Sequence, residues 1–99
     1  MATDKAYLTL VLDSLSGMED IFYRPMMGEY LLYYRGKVVG GLYDNRLLVK
    51  PTATALAALP DAVFETPYPG GKDMLMFPDV DDRDRLQAMI RAVYDGLKP

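Results

Sequence analysis

Residue types that could do chemistry are few in these 99 residues, and the types missing are as informative as those present. There is no Cys and no His, so disulfides, thiolate chemistry and the most versatile acid/base and metal-binding side chain are all absent. Three groupings remain. Pro69-Gly70-Gly71-Lys72-Asp73 has the glycines and lysine of a phosphate-cradling loop, but it lacks the GxxxxGK[ST] spacing and reads as a surface turn. Asp79, Asp81, Asp82 and Asp84 suggest a calcium loop. Counted from Asp79, however, the register puts Arg83, Asp84 and Ile90 where an acid, a Gly and a Glu are needed, so helix capping accounts for them better. Glu29 and Asp44 lie in or beside turns with no nucleophile near them in sequence, and read as solvated turn residues. No catalytic, metal-binding or cofactor-binding residue is nominated. Arg24, inside an apolar strand, must reach water along its stem or pair with a carboxylate such as Glu29.

The elements that would position these groups are organised around residues 24–50. Arg35-Gly36 and Asp44-Asn45 tolerate positive φ and can each close a two-residue hairpin between apolar runs. Tyr34 then faces Lys37, Leu32 faces Val39, Tyr30 faces Gly41, Tyr43 faces Arg46 and Gly41 faces Leu48. With side chains alternating along each strand, Leu31, Tyr33, Val38, Gly40, Leu42, Leu47 and Val49 form an expected core face. The opposite face carries Tyr30, Leu32, Tyr34, Lys37, Val39, Gly41, Tyr43, Arg46, Leu48 and Lys50. It mixes rings, cations and aliphatics, so it is the candidate interaction face.

Around this meander, a helix capped by Thr3 or Asp4 presents Leu8, Val11, Leu12 and Leu15 and ends at Gly17. Residues 21–26 (IFYRPM) read as a strand whose Pro25 confines it to an edge or bulge, turning at 26–29. Thr52 caps a short helix stopped by Pro60. Two short strands follow, at 63–65 and 74–77, and Asp81 caps a final helix with Leu86, Met89, Ile90, Val93 and Leu97 inward. The expected fold is α+β: a two-layer domain, residues 1–99, with an antiparallel sheet of five or six strands and helices on one face, in the order α-β-β-β-β-α-β-β-α.

Charge and length narrow the function classes. The net charge is −3, yet residues 24–50 hold five basic side chains (Arg24, Arg35, Lys37, Arg46, Lys50) against two acidic ones, which leaves −6 for the remainder. Such a chain is a poor generic nucleic-acid binder, and binding by a basic, Tyr-rich sheet is the alternative rather than the preferred reading. No apolar run approaches the ~20 residues that span a bilayer, and the first residues lack a signal-peptide pattern; a cytoplasmic protein without a membrane partner is expected. Burial of Leu32, Val39 and Leu48 in two copies would contribute ~9–18 kcal/mol against an association cost of ~4–15 kcal/mol, which makes a homodimer through that face a candidate.

Several short motifs point the same way. Leu15-Ser16-Gly17, Arg24-x-Met26-Met27-Gly28-x-Tyr30, Leu32-Tyr33-Tyr34-x-Gly36-Lys37, Asp44-Asn45-x-Leu47 and Leu48-Val49-Lys50 together resemble the N-terminal domain of the TfoX/Sxy competence-regulator family, from about Tyr7 to Gly96. The resemblance implies a two-layer α+β domain and an association with control of bacterial competence genes. It implies no catalytic residue. Met27 stands where that family usually has Phe, and there is no room for the further C-terminal domain of its longer members. The preferred expectation is a non-enzymatic interaction domain, possessing a regulatory role if the resemblance carries function, with a small-molecule enzyme built on Arg24, Glu29 and the tyrosines the least favoured alternative.

Overall fold

The structure, a computed structural model, describes residues 2–97. The elements are α1 (Lys5–Ser14), β1 (Ile21–Met26), β2 (Glu29–Tyr34), β3 (Lys37–Leu42), β4 (Leu47–Val49), α2 (Ala53–Ala58), β5 (Val63–Glu65), β6 (Met74–Phe77) and α3 (Arg83–Asp95). The strands form one six-stranded antiparallel sheet in the order β1-β2-β3-β4-β6-β5. The expected α+β architecture and element order are both found.

The three hairpins of residues 21–49 close as type I′ turns, with φ of 51° and 87° at Met27-Gly28, 52° and 79° at Arg35-Gly36, and 53° and 58° at Asp44-Asn45. That turn matches the right-handed twist of adjoining strands. Tyr34 pairs with Lys37 and Gly41 with Leu48, as the turn residues predict, and Tyr43 and Arg46 exchange backbone bonds of 2.9 and 3.1 Å.

Between the two turns the register slips. Tyr33 pairs with Val38, but Leu32 pairs with Gly40, Leu31 with Gly41 and Tyr30 with Leu42, so Val39 is an extra residue in β3 and forms a β-bulge. The glycines make this close passage possible. A Cβ on Gly40 would collide with the Leu48 carbonyl oxygen and lie 2.9 Å from Val49 Cα; one on Gly41 would lie 2.8 Å from the Tyr30 oxygen. One extra residue reverses the parity of everything before it.

The core lies between one sheet face and all three helices. Leu8, Val11 and Leu15 from the α1 region, Ala55 from α2 and Leu86, Met89, Ile90 and Val93 from α3 pack with Leu32, Tyr34, Val39, Leu42, Leu47, Val49, Leu75 and Phe77. Two helix starts are capped in the expected manner: Thr52 accepts from Ala55 N–H at 3.2 Å, and Asp82 from Arg85 N–H at 3.2 Å. The α3 cap is therefore Asp82 rather than Asp81. At α1 neither candidate caps with its side chain: Thr3 Oγ1 is bonded to Glu29 and Asn45, and Asp4 Oδ2 accepts from Asn45 Nδ2 at 3.3 Å. No helix among the described residues is long and apolar enough to cross a membrane.

Candidate interaction face

The bulge divides the expected interaction face between the two sides of the sheet. Tyr30, Leu32, Tyr34, Lys37 and Val39 lie on the helix side; Tyr43, Arg46, Leu48 and Lys50 lie on the other. Leu32 is 1% exposed and Val39 and Leu48 are fully buried, so none of the three offers area to a second copy. Lys37 Nζ and the Arg35 guanidinium instead sit about the Tyr94 ring of α3, each 5.8 Å from its centre, and Tyr34 meets that ring edge-on at 5.1 Å. Conversely Leu31, Tyr33 and Val38, expected in the core, are half-buried on the helix-free side.

On that helix-free side β1, β2 and β3 present Phe22, Arg24, Leu31, Tyr33 and Val38. Phe22 is 65% exposed. Arg24 is exposed too, and it lies over the Tyr33 ring at 5.8 Å rather than pairing with Glu29. Phe22, Tyr23, Arg24, Tyr33 and Gly36 enclose a shallow hollow of about 210 Å³. The seat suits a protruding partner side chain more than a whole small molecule.

Toward β4 and β6 the connection 66–73 folds back across the same side. Tyr68 packs against Tyr43 with ring centres 6.2 Å apart, and the two rings form a common wall between clefts of about 640 and 630 Å³. The first is lined by Met26, Met27, Glu29, Arg46 and Pro67 among others; the second by Lys50, Gly70, Gly71, Lys72 and Met74 among others. Burial pushes the Tyr43 hydroxyl pKa above its usual value, and the neighbouring Tyr68 and Glu29 push it further in the same direction. It therefore stays protonated at neutral pH.

Glu29 is committed to the fold. Its carboxylate accepts from Thr3 Oγ1 at 2.7 Å and from Asp44 N–H at 3.1 and 3.2 Å. Thr3 N–H donates to the Gly28 carbonyl at 2.9 Å, Asn45 N–H donates to Thr3 Oγ1 at 3.2 Å, and Asp4 N–H donates to Asn45 Oδ1 at 2.9 Å. This knot ties the start of α1 to the β1–β2 and β3–β4 turns. Glu29 is therefore not the solvated turn residue that local sequence suggests, whereas Asp44 does sit in its turn and contributes only its backbone N–H to the knot. Arg46 is likewise occupied, by the Glu65 carboxylate and by the Tyr43 carbonyl at 3.1 Å from its Nε.

The acidic run resolves into separate structural roles: Asp82 caps α3, Asp79 pairs with Arg85, and Asp84 lies in the first turn of the helix. No group of three or more His, Cys, Asp or Glu side chains among the described residues is arranged to hold a metal ion. The Pro69–Asp73 segment is a turn closed by a bond from Gly71 N–H to the Tyr68 carbonyl at 2.9 Å.

With this geometry in place, the chain can be set beside known proteins. It is 39% identical over 98 residues to the uncharacterized 12.7 kDa protein in the trpE 5′ region of Spirochaeta aurantia, an alignment covering 98% of this chain and 85% of that protein. The chain belongs to that protein's family. No family model matches it, and no solved structure does.

Met27, one of the motif residues Arg24, Met26, Met27 and Gly28, is 98% exposed at the tip of the first hairpin with φ of 51°. A β-unbranched residue in the left-handed region costs about 1 kcal/mol relative to Gly. Sequence reasoning missed Phe22, Tyr33 and Val38 as surface residues. The signal that could have found them was Gly40-Gly41 inside a strand, a pair that marks a bulge or a close backbone approach.

Proposed function

We propose that the chain is a non-enzymatic interaction domain of the cytoplasm that engages a protein partner through the helix-free end of its sheet, at Phe22, Arg24, Tyr33 and Val38. The observation that carries this reading is the large, rigid Phe22 ring left exposed beside an Arg stacked on a Tyr, around a hollow, on the side of the sheet that no helix covers. Aromatic and Arg side chains around a small depression are what interface centres use. The commitment of Glu29, Arg46 and the acidic run to internal bonds supports the non-enzymatic part of the reading. The sequence resemblance to the TfoX/Sxy N-terminal domain supports a regulatory setting, with competence or transcription control as the process.

Affinity capture from native lysate with wild type, Tyr33→Glu and Ala57→Glu tests this. Ala57 is exposed on α2, away from the face. Proteins retained by wild type and Ala57→Glu but lost from Tyr33→Glu are the expected result, whereas three identical captured sets overturn the reading. A signal removed by nuclease treatment or by raised salt assigns the face to nucleic acid instead.

A further inference from the structure

Away from that face, we infer that the cleft between the β1–β2 turn, the β3–β4 turn and residues 66–69 binds a small organic cation: an alkylated ammonium carried on an apolar body. Its volume of about 640 Å³ is in the usual range of small-molecule sites. Most of its wall is apolar, with Met26 and Met27 from one turn, Pro67, Tyr68 and Pro69 from the connection, and Tyr43 from the residue after β3. The wall is also held in place. Glu29 accepts from the Asp44 N–H at 3.1 Å and from Thr3, which joins the two turns, while Arg46 bonds the Glu65 carboxylate and reaches the Thr66 carbonyl at 3.4 Å. A cleft fixed by such bonds loses little further freedom when it is filled.

Charge selects a cation. Glu29 and Asp44 line the cleft, and the Arg46 guanidinium of the same wall is engaged by Glu65. Three carboxylates therefore surround one guanidinium, a balance of −2. The Asp44 carboxylate has no hydrogen bond or ion pair among the described residues, and Glu29 Oε2 accepts one bond only, at 3.2 Å.

Tyr43 supplies the independent observation. It is 5% exposed, yet its hydroxyl has no hydrogen-bond partner among the described residues. No fully buried side-chain oxygen of those residues is left unpartnered, so this hydroxyl opens to the cleft. The charge of Glu29, a residue of this cleft and not of its neighbour, acts on it, which puts it on this side of the Tyr43–Tyr68 wall. The ring is pinned against Gly41, where a Cβ would come 2.7 Å from Cε2. A nearly buried hydroxyl without a protein partner is a group for a ligand to satisfy.

The Tyr68 ring, 54% exposed and tilted 58° to Tyr43, offers a π face to the same ligand. A primary ammonium would bring three N–H donors against a wall of Met, Pro and ring carbon that can accept few of them. An alkylated nitrogen brings none and keeps its charge. It gains the aromatic face and packs against the adaptable Met26 and Met27 side chains, while a polar group on the ligand meets the Tyr43 hydroxyl.

The probes are choline and its uncharged analogue, in which a quaternary carbon replaces the nitrogen. Each is titrated into the isotope-labelled full chain to about 20 mM at matched ionic strength, with amide shifts as the readout. Choline is expected to saturate with a dissociation constant of about 1 mM or below, shifting Met27, Asp44 and Tyr68, and the analogue to bind at least about tenfold more weakly. Tyr68→Leu and Asp44→Asn are each expected to weaken choline about fivefold or more. Asn suits the left-handed backbone at position 44, where φ is 53°, so that change removes charge and leaves the turn. Lys50→Ala, in the neighbouring cleft, is expected to change nothing. A choline titration that does not saturate overturns the inference, as do equal affinities for the two probes, unchanged affinity in either cleft variant, or shifts confined to the second cleft. Failure here leaves the partner face untouched, since Tyr68→Leu is expected to retain every protein that wild type captures.

Discussion

At the scale of single residues, the positions that matter most are those whose conformation or bonding is out of keeping with local sequence. Met27 is held at positive φ with its side chain in solvent, so Met27→Gly relieves backbone strain and removes no packing; urea unfolding is expected to show a gain of about 0.5–1 kcal/mol at unchanged m-value. Glu29 is the reverse case. Replacing it by Gln removes the charge from three hydrogen bonds that tie two turns to the chain's first residues, and a loss of about 1.5–3 kcal/mol is expected in the same assay. Tyr7 and Tyr43 set the alkaline limit. Burial raises both above the ordinary value of 10.0, so the folded state holds protons that the unfolded state has already released. The contribution of these two groups is therefore fully present below pH 10 and is lost as pH rises through their folded values. Tyr43→Phe is expected to flatten that alkaline slope in denaturant titrations run from pH 9 to pH 11, and an unaltered slope contradicts the assignment.

At the scale of elements, α1, α2, α3 and every strand were legible in periodicity, caps and turn residues, because each of those signals is local. The three type I′ corners were legible for the same reason. The sidedness of β2 and the first half of β3 was not. Parity is a long-range quantity in a meander: it is inherited from each corner and lost wherever one strand holds an additional residue. Val39 is that residue, and the Gly40-Gly41 pair that accommodates it carries no side chain by which a period-two reading could register the slip. Composition reinforced the misreading, since Leu32 and Tyr34 alternate with Leu31 and Tyr33, and exchanging the two sets leaves both faces equally plausible as a core. The bulge has a stringent steric requirement. Gly40→Ala would drive a methyl group into β4 backbone and is expected to cost about 2–3 kcal/mol, with a lower thermal midpoint by calorimetry.

At the scale of the whole molecule, the helices and the connection 66–73 cover the middle of the sheet and leave its two edge strands exposed, at Phe22 and Tyr23 of β1 and at Val63 and Phe64 of β5. The candidate face of the sequence reading is thereby reduced to its second half, largely roofed by Tyr68, while Phe22, Arg24 and Tyr33 form the surface that remains. For function, the sequence supports no more than a proposal of class: the aromatic, basic character of residues 24–50 suits recognition, but the residues that would present it depend on a one-residue slip that no composition records. The proposed function inherits this dependence, since the face needs Tyr33 turned away from the helices.

The most direct test is the cross-strand pairing of β2 and β3, read from backbone proton contacts in the nuclear magnetic resonance spectrum of the folded chain. Leu32 and Leu31 are expected to contact Gly40 and Gly41, with Tyr33 still opposite Val38. Contacts from Leu32 to Val39 and from Tyr30 to Gly41 would return Tyr33 to the core side and contradict the account.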